Sequence, residues 1–160
     1  MEALVTQTVM AEAGDLPRLY DRMRDQRLLR RVVKGAGTYA EFLGIHERCG
    51  PFCLEALQSG EVACFWWITQ FYAQAVCFHG CVFKPYRRFA LSLWNKIRCN
   101  LFAAGATDIF VFTDDACPEI GRLCARAGLR IATRIGNHKE TVVWAADREW
   151  AACSENSSIL

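Results

Sequence analysis

The sequence predicts an α/β domain of the α+β kind, with a mixed central sheet of about six to seven strands flanked by about four helices. Three observations predict it. The 160 residues are 52% hydrophobic and 22% charged, a composition that can enclose one core. Apolar residues run in strand-like blocks through the middle of the chain and switch to helical spacing after Pro85. A helical stretch then lies between two strand-like runs with short links, which calls for a parallel crossover inside a mixed sheet.

Leu4–Met10 is a short β-prone run. Asp15 stands as an N-cap with Pro17 in the first turn, and Leu16, Leu19, Tyr20 and Met23 recur at helical spacing through about Val33. The arginines there (Arg18, Arg22, Arg24, Arg27, Arg30, Arg31) interleave with Asp21 and Asp25, the pattern of a solvated helix face. Residues 34–37 break the pattern, and Thr38 caps a second helix to about Glu47.

Phe52–Leu57, Val62–Thr69 and Phe71–Phe83 read as three meandering strands, with Gly80 a candidate bulge and Pro85 ending the pairing. The aromatics Phe65, Trp66, Trp67, Phe71 and Tyr72 are assigned to packing. Phe89, Leu93, Ile97, Leu101 and Phe102 mark an amphipathic helix closing at Gly105. Asp108–Phe112 is the next strand, expected to run parallel to the one ending at Val82 and to splay from it. A helix follows from about Pro118 to Gly128, then strands at Leu129–Ile135 and Glu140–Ala146 around a turn at 136–138. Residues 1–150 are expected to form one domain and 151–160 a flexible tail.

A net charge of +2 gives no nucleic-acid footprint, and no apolar run is long enough to span a membrane. Nine cysteines are scattered without C-x-x-C pairs, mostly in apolar runs, so free thiols are expected. Cys77 and Cys81 flank His79, but without metal-ligand spacing, and no metal is assigned. Reduced thiols and the lack of a signal-peptide pattern point to a cytoplasmic setting.

The segment Val82-Phe83-Lys84-Pro85-Tyr86-Arg87-Arg88-Phe89-Ala90-Leu91-Ser92 carries the most chemistry. A strand ends, a basic turn follows, and a helix begins whose first N–H groups lack intrahelical partners. Such a start seats a phosphate, small side chains at Ala90 and Ser92 permit close approach, and Arg87 and Arg88 supply charge.

The segment resembles the acyl-CoA pyrophosphate loop of the GNAT acyltransferase superfamily, R/Q-x-x-G-x-G/A. Arg87 stands at its first position, Ala90 where the first glycine is usual and Ser92 at the second small residue. The order of elements over nearly the whole chain is similar too. The resemblance implies acetyl-CoA as co-substrate, bound by Val82, Phe83, Arg87, Arg88, Phe89, Ala90, Leu91 and Ser92. It implies transfer of an acetyl or related acyl group to a primary amine by direct attack. The amides around Val82 would polarise the thioester carbonyl. Gly128-Leu129 occupies the family's Gly-Phe place, which puts Cys124 where a tyrosine often protonates the departing thiolate. His79, on the strand before the loop, is a candidate base, with a histidine hydrogen-bonded in the sheet as the alternative. Asp114 or Asp115 could bind a cationic amine or act as base, Asp115 equally serving as a helix cap, and Glu55 is a further candidate against a solvated strand residue. Short members of this family that have lost such motif residues occur among bacteriophage proteins, some as virion or host-interaction components. The resemblance therefore also carries a phage-like, non-catalytic reading. Acyl-CoA-dependent nucleic-acid modification is weaker, given the charge. The acceptor amine is open, and a homodimer is allowed.

Overall fold

The computed structural model describes residues 4–32, 37–114, 117–136 and 141–148. Strands β1 (Gln7–Met10), β2 (Cys53–Ala56), β3 (Val62–Tyr72), β4 (Ala75–Val82), β5 (Asp108–Asp114), β6 (Arg130–Ile135) and β7 (Thr141–Asp147) form a seven-stranded sheet. Their order is β1–β2–β3–β4–β5–β7–β6, and the helices are α1 (Asp15–Asp25), α2 (Leu29–Val32), α3 (Tyr39–Cys49), α4 (Ala90–Ala103) and α5 (Pro118–Arg126). The expected mixed α/β sheet is present. The chain divides into two compact units, one holding residues up to Ile68 with His79–Leu93, the other Thr69–Phe78 with the chain from Trp94 onward. The expected tail, 151–160, lies outside the described residues.

In the first unit β1 and β3 both pair antiparallel with β2. Side chains alternate along a strand, so Leu54, Phe65, Trp67, Cys81 and Phe83 share one face, and the apolar stripe of α1 (Leu16, Leu19, Met23) packs there with Phe42 of α3. The rings interlock: Phe42 and Phe52 at 5.3 Å, Phe52 and Trp67 at 5.0 Å, Phe65 stacked on Trp67 at 5.8 Å. Thr38 caps α3 as expected: its hydroxyl accepts the Glu41 N–H, while the Glu41 carboxylate accepts the Gly37 and Thr38 amides at 2.8 Å each. Those donors hold the Glu41 carboxyl below its ordinary value.

The helix expected to run from Asp15 to about Val33 is two pieces. Gly14 is the N-cap, and the Asp15 carboxylate instead accepts the Glu12 N–H at 2.8 Å. At the other end Arg27 takes φ +56, its N–H bonds the Arg24 carbonyl and Leu28 N–H bonds the Met23 carbonyl. This is a Schellman ending with arginine in the left-handed place where glycine is usual, and Leu28 and Met23 supply its apolar contact. Helical periodicity continued through it, so the sequence carried no break signal there.

In the second unit the first residues of β4, Ala75–Cys77, pair parallel with Asp108–Phe110 of β5, as the crossover required. Beyond β5, β7 pairs antiparallel over Asp108–Asp114, and β6 pairs with β7. The turn between β3 and β4 falls at Ala73-Gln74, later than expected, with Ala73 at φ +47. Tyr72, assigned to packing, is 81% exposed at this hairpin end. Gly105 and Gly128 close α4 and α5 at φ +105 and +78, values that suit glycine. Cys117 is the N-cap of α5, and Asp115 lies outside the described residues. The Trp144 indole N–H donates to the Thr113 hydroxyl at 2.9 Å, a buried pair across β7 and β5.

Candidate functional site

β4 delivers the chain to a 3-10 turn, Lys84–Phe89, which runs directly into α4. The approach is fixed: Phe83 is fully buried and its N–H donates to the Ala63 carbonyl at 3.0 Å. Helical winding begins at Lys84, earlier than the sequence indicated, because Pro85 enters the first turn with its φ already helical and no N–H to satisfy. The amides are therefore placed differently from expectation. Lys84 N–H donates to Gln26 Oε1 at 2.9 Å, Tyr86 N–H to the Phe83 carbonyl at 2.9 Å, and Ala90 N–H to the Arg87 carbonyl. Arg87, Arg88 and Ser92 are exposed, and Val82, Phe89, Ala90 and Leu91 are half-buried. The Arg88 guanidinium lies 4.7 Å from the Phe89 ring centroid. Ala90 has φ −55 and ψ −38, so its methyl group sits in ordinary helical backbone without strain.

A residue the sequence placed on a solvated face turns inward instead. Arg22 of α1 donates to the Val62 carbonyl at 2.6 Å, pairs with Glu61 at 3.1 Å, and lies 4.0 Å over the Phe83 ring. Its partners are some 40 residues distant in sequence, so the local charge pattern could not reveal them. Gln26, absent from the sequence-derived site, carried no local signal either.

His79 is half-buried and stacked on Trp67, ring centroids 4.9 Å apart and planes 9° apart. Burial lowers its pKa from the ordinary histidine value, which favours the neutral ring. Glu55 is fully buried rather than solvated. Its Oε2 accepts from Thr6 at 2.9 Å and its Oε1 from Thr8 at 2.8 Å and the Trp66 indole at 3.2 Å. Strand alternation puts Trp66 and Trp67 on opposite faces of the sheet, and with them Glu55 and His79. The two candidate bases are thus not brought together. Asp114 and Cys124 belong to the second unit. Asp114 ends β5 half-buried, and its carbonyl accepts the Cys117 N–H at 2.8 Å. Cys124 is buried, and burial pushes its thiol up to about 12; it is protonated at neutral pH but a poorer acid than an ordinary thiol. The described cysteines are free. Among the described residues no group of three His, Cys, Asp or Glu side chains could hold a metal ion, and no helix is long and apolar enough to cross a membrane.

The fold is that of the GNAT N-acetyltransferases. No protein-family model and no curated protein matches the sequence. Solved structures match the fold. A spermidine N-acetyltransferase of Vibrio cholerae in complex with CoA and spermine superposes with a TM-score of 0.76 at 10% identity, covering 92% of this chain and 98% of that one. A dodecameric structure of spermidine N-acetyltransferase from the same organism gives 0.71 at 10% identity over 90% and 94%. Mutant forms of the enzyme with a glutamate replaced by glutamine give 0.75 at 9% identity over 94% and 98%.

Proposed function

We propose that this chain is an acyl-CoA-dependent N-acyltransferase that moves an acetyl or related acyl group from CoA to a primary amine. The observation that carries the reading is the basic turn: on a GNAT fold, β4 leads into Lys84–Phe89 with Arg87 and Arg88 both exposed and Ala90 in unstrained helical backbone. The solved neighbour holding CoA and spermine supports CoA as co-substrate and a polyamine-like amine as acceptor class, and the dodecameric neighbour supports self-association. In the proposed reaction the amine nitrogen bonds to the thioester carbonyl carbon. The carbon–sulfur bond then breaks, a base takes the amine proton, and the thiolate gains a proton on leaving. His79 is the base of this proposal, since a neutral imidazole can accept that proton. Asp114 and Cys124 belong to the second unit and are assigned no step here, while Glu55 is assigned to holding β1 and β3 onto β2.

Calorimetry with CoA and mass spectrometry of spermidine incubated with acetyl-CoA test the reading. Arg87→Ala is expected to weaken CoA binding about 10- to 100-fold, the loss of a charge-assisted phosphate contact. Ala90→Glu should abolish binding, and Ala90→Gly should leave it unchanged or better. Equal binding by wild type and Ala90→Glu, or no binding by either, would sink the proposal. Because burial lowers the His79 pKa, its contribution to the rate should hold at neutral pH and be lost only at a pH more acidic than that at which an ordinary histidine titrates.

A non-catalytic reading is favoured by one observation: the Lys84, Tyr86 and Ala90 amides already have acceptors within the protein. A folded wild type that binds no CoA would establish it.

A further inference from the structure

Two of the contacts at the start of the basic turn come from one helix. Gln26, the C-cap of α1, places its side-chain oxygen on the Lys84 amide at 2.9 Å. Arg22, four residues earlier, covers the Phe83 ring at 4.0 Å and ties to the β2–β3 connection through Val62 and Glu61. Residues four apart share one helix face, so α1 presents both groups to the chain at residues 83–84. The position of Gln26 is itself fixed by the Schellman ending, with Arg27 left-handed and Leu28 buried. Lys84 N–H is the first donor of the turn. In regular helical winding it would have no partner, and the Gln26 side chain supplies one.

We infer that Arg22 and Gln26 are positioning residues for the turn that carries Arg87 and Arg88, so that affinity for CoA is set in part from α1. The inference rests on the proposed reading of that turn as the CoA seat. Gln26 neutralises no charge, so its effect on a phosphate ligand comes through the geometry it imposes. A turn released at Lys84 frays from its first residue, and the two arginines are then presented to the ligand for less of the time.

The test uses the full chain with Gln26→Ala, Gln26→Glu and Arg22→Lys. Hydrogen exchange at the Lys84 amide is measured without ligand, followed by CoA calorimetry and steady-state kinetics. Gln26→Ala is expected to speed Lys84 exchange about tenfold, whereas Gln26→Glu keeps an oxygen acceptor and keeps wild-type protection. Gln26→Ala should weaken CoA about 2- to 10-fold, the equivalent of one hydrogen bond. It should raise KM for acetyl-CoA while leaving kcat and the KM for the amine unchanged. Arg22→Lys keeps the charge but loses the two-pronged contact to Val62 and Glu61, and should move the same parameters in the same direction. Wild-type Lys84 protection in Gln26→Ala, or unchanged CoA affinity in both Gln26→Ala and Arg22→Lys, overturns the inference. A wild type that binds no CoA overturns the proposed function instead and takes the CoA part of this inference with it, while the exchange measurement still decides whether α1 holds the turn.

Discussion

In the first unit, Phe42, Phe52, Phe65, Trp67 and Phe83 pack ring against ring over one sheet face, and Phe42, Phe52, Phe65 and Phe83 are fully buried. In the second, β5 and β7 are joined by seven paired residues, while every residue of β6 is exposed. The first unit is thus built around interlocked aromatic rings, whereas the second buries mainly aliphatic side chains such as Ile97, Ile109, Val142 and Val143, beside the pairing of β5 with β7 and the contact of Trp144 on Thr113. The candidate CoA turn belongs to the first, where the buried Phe83 ring anchors its entry in the aromatic cluster.

That comparison can be broken by substitution. Phe65→Ala deletes a ring from the centre of the aromatic cluster and should cost about 3–5 kcal/mol in urea unfolding; a loss under about 1 kcal/mol would mean the rings do not hold the first unit. Glu55→Ala strips the acceptor from Thr6, Thr8 and Trp66 and should cost about 1–3 kcal/mol. Glu55→Gln keeps one oxygen and should cost less, with acyl transfer retained. Loss of transfer in a fully folded Glu55→Gln protein would instead restore Glu55 as the base. The smallest effect has the opposite sign. A methyl group at Gly121 in α5 would meet Trp144 Cζ2 at 3.5 Å, an ordinary contact. Gly121→Ala should therefore stabilise the chain by about 0.5–1 kcal/mol through reduced unfolded-state freedom. A fall in stability would show that the packing beside Trp144 is tighter than the distance implies.

What the sequence made legible follows from the range of the forces involved. The strand blocks, the crossover helix, the Thr38 cap and the glycine closures at Gly105 and Gly128 are written in residues near each other in the chain. The break at Arg27 was hidden because arginine took a place glycine usually marks. The inward turn of Arg22 and the reach of Gln26 to Lys84 join residues tens of positions apart. Glu55 looked like a solvated strand residue because the hydroxyls that satisfy it when buried, from Thr6 and Thr8, lie far away in the sequence. The basic turn was found from its residue types, but its early winding depended on Pro85 combining with an acceptor from α1.

Among the described residues β6 is the edge strand of the sheet, which has a consequence for how newly made chains behave toward one another. An edge strand offers unpaired amides and carbonyls that can template the same strand of a neighbour, and Ile131 and Ile135, 47% and 54% exposed, would reward such stacking. Arg130 and Arg134 interrupt that apolar pattern. Each further chain added in register would lay guanidinium on guanidinium, so the strand carries its own gatekeepers against fibrous growth, and replacing both arginines with threonine would remove them.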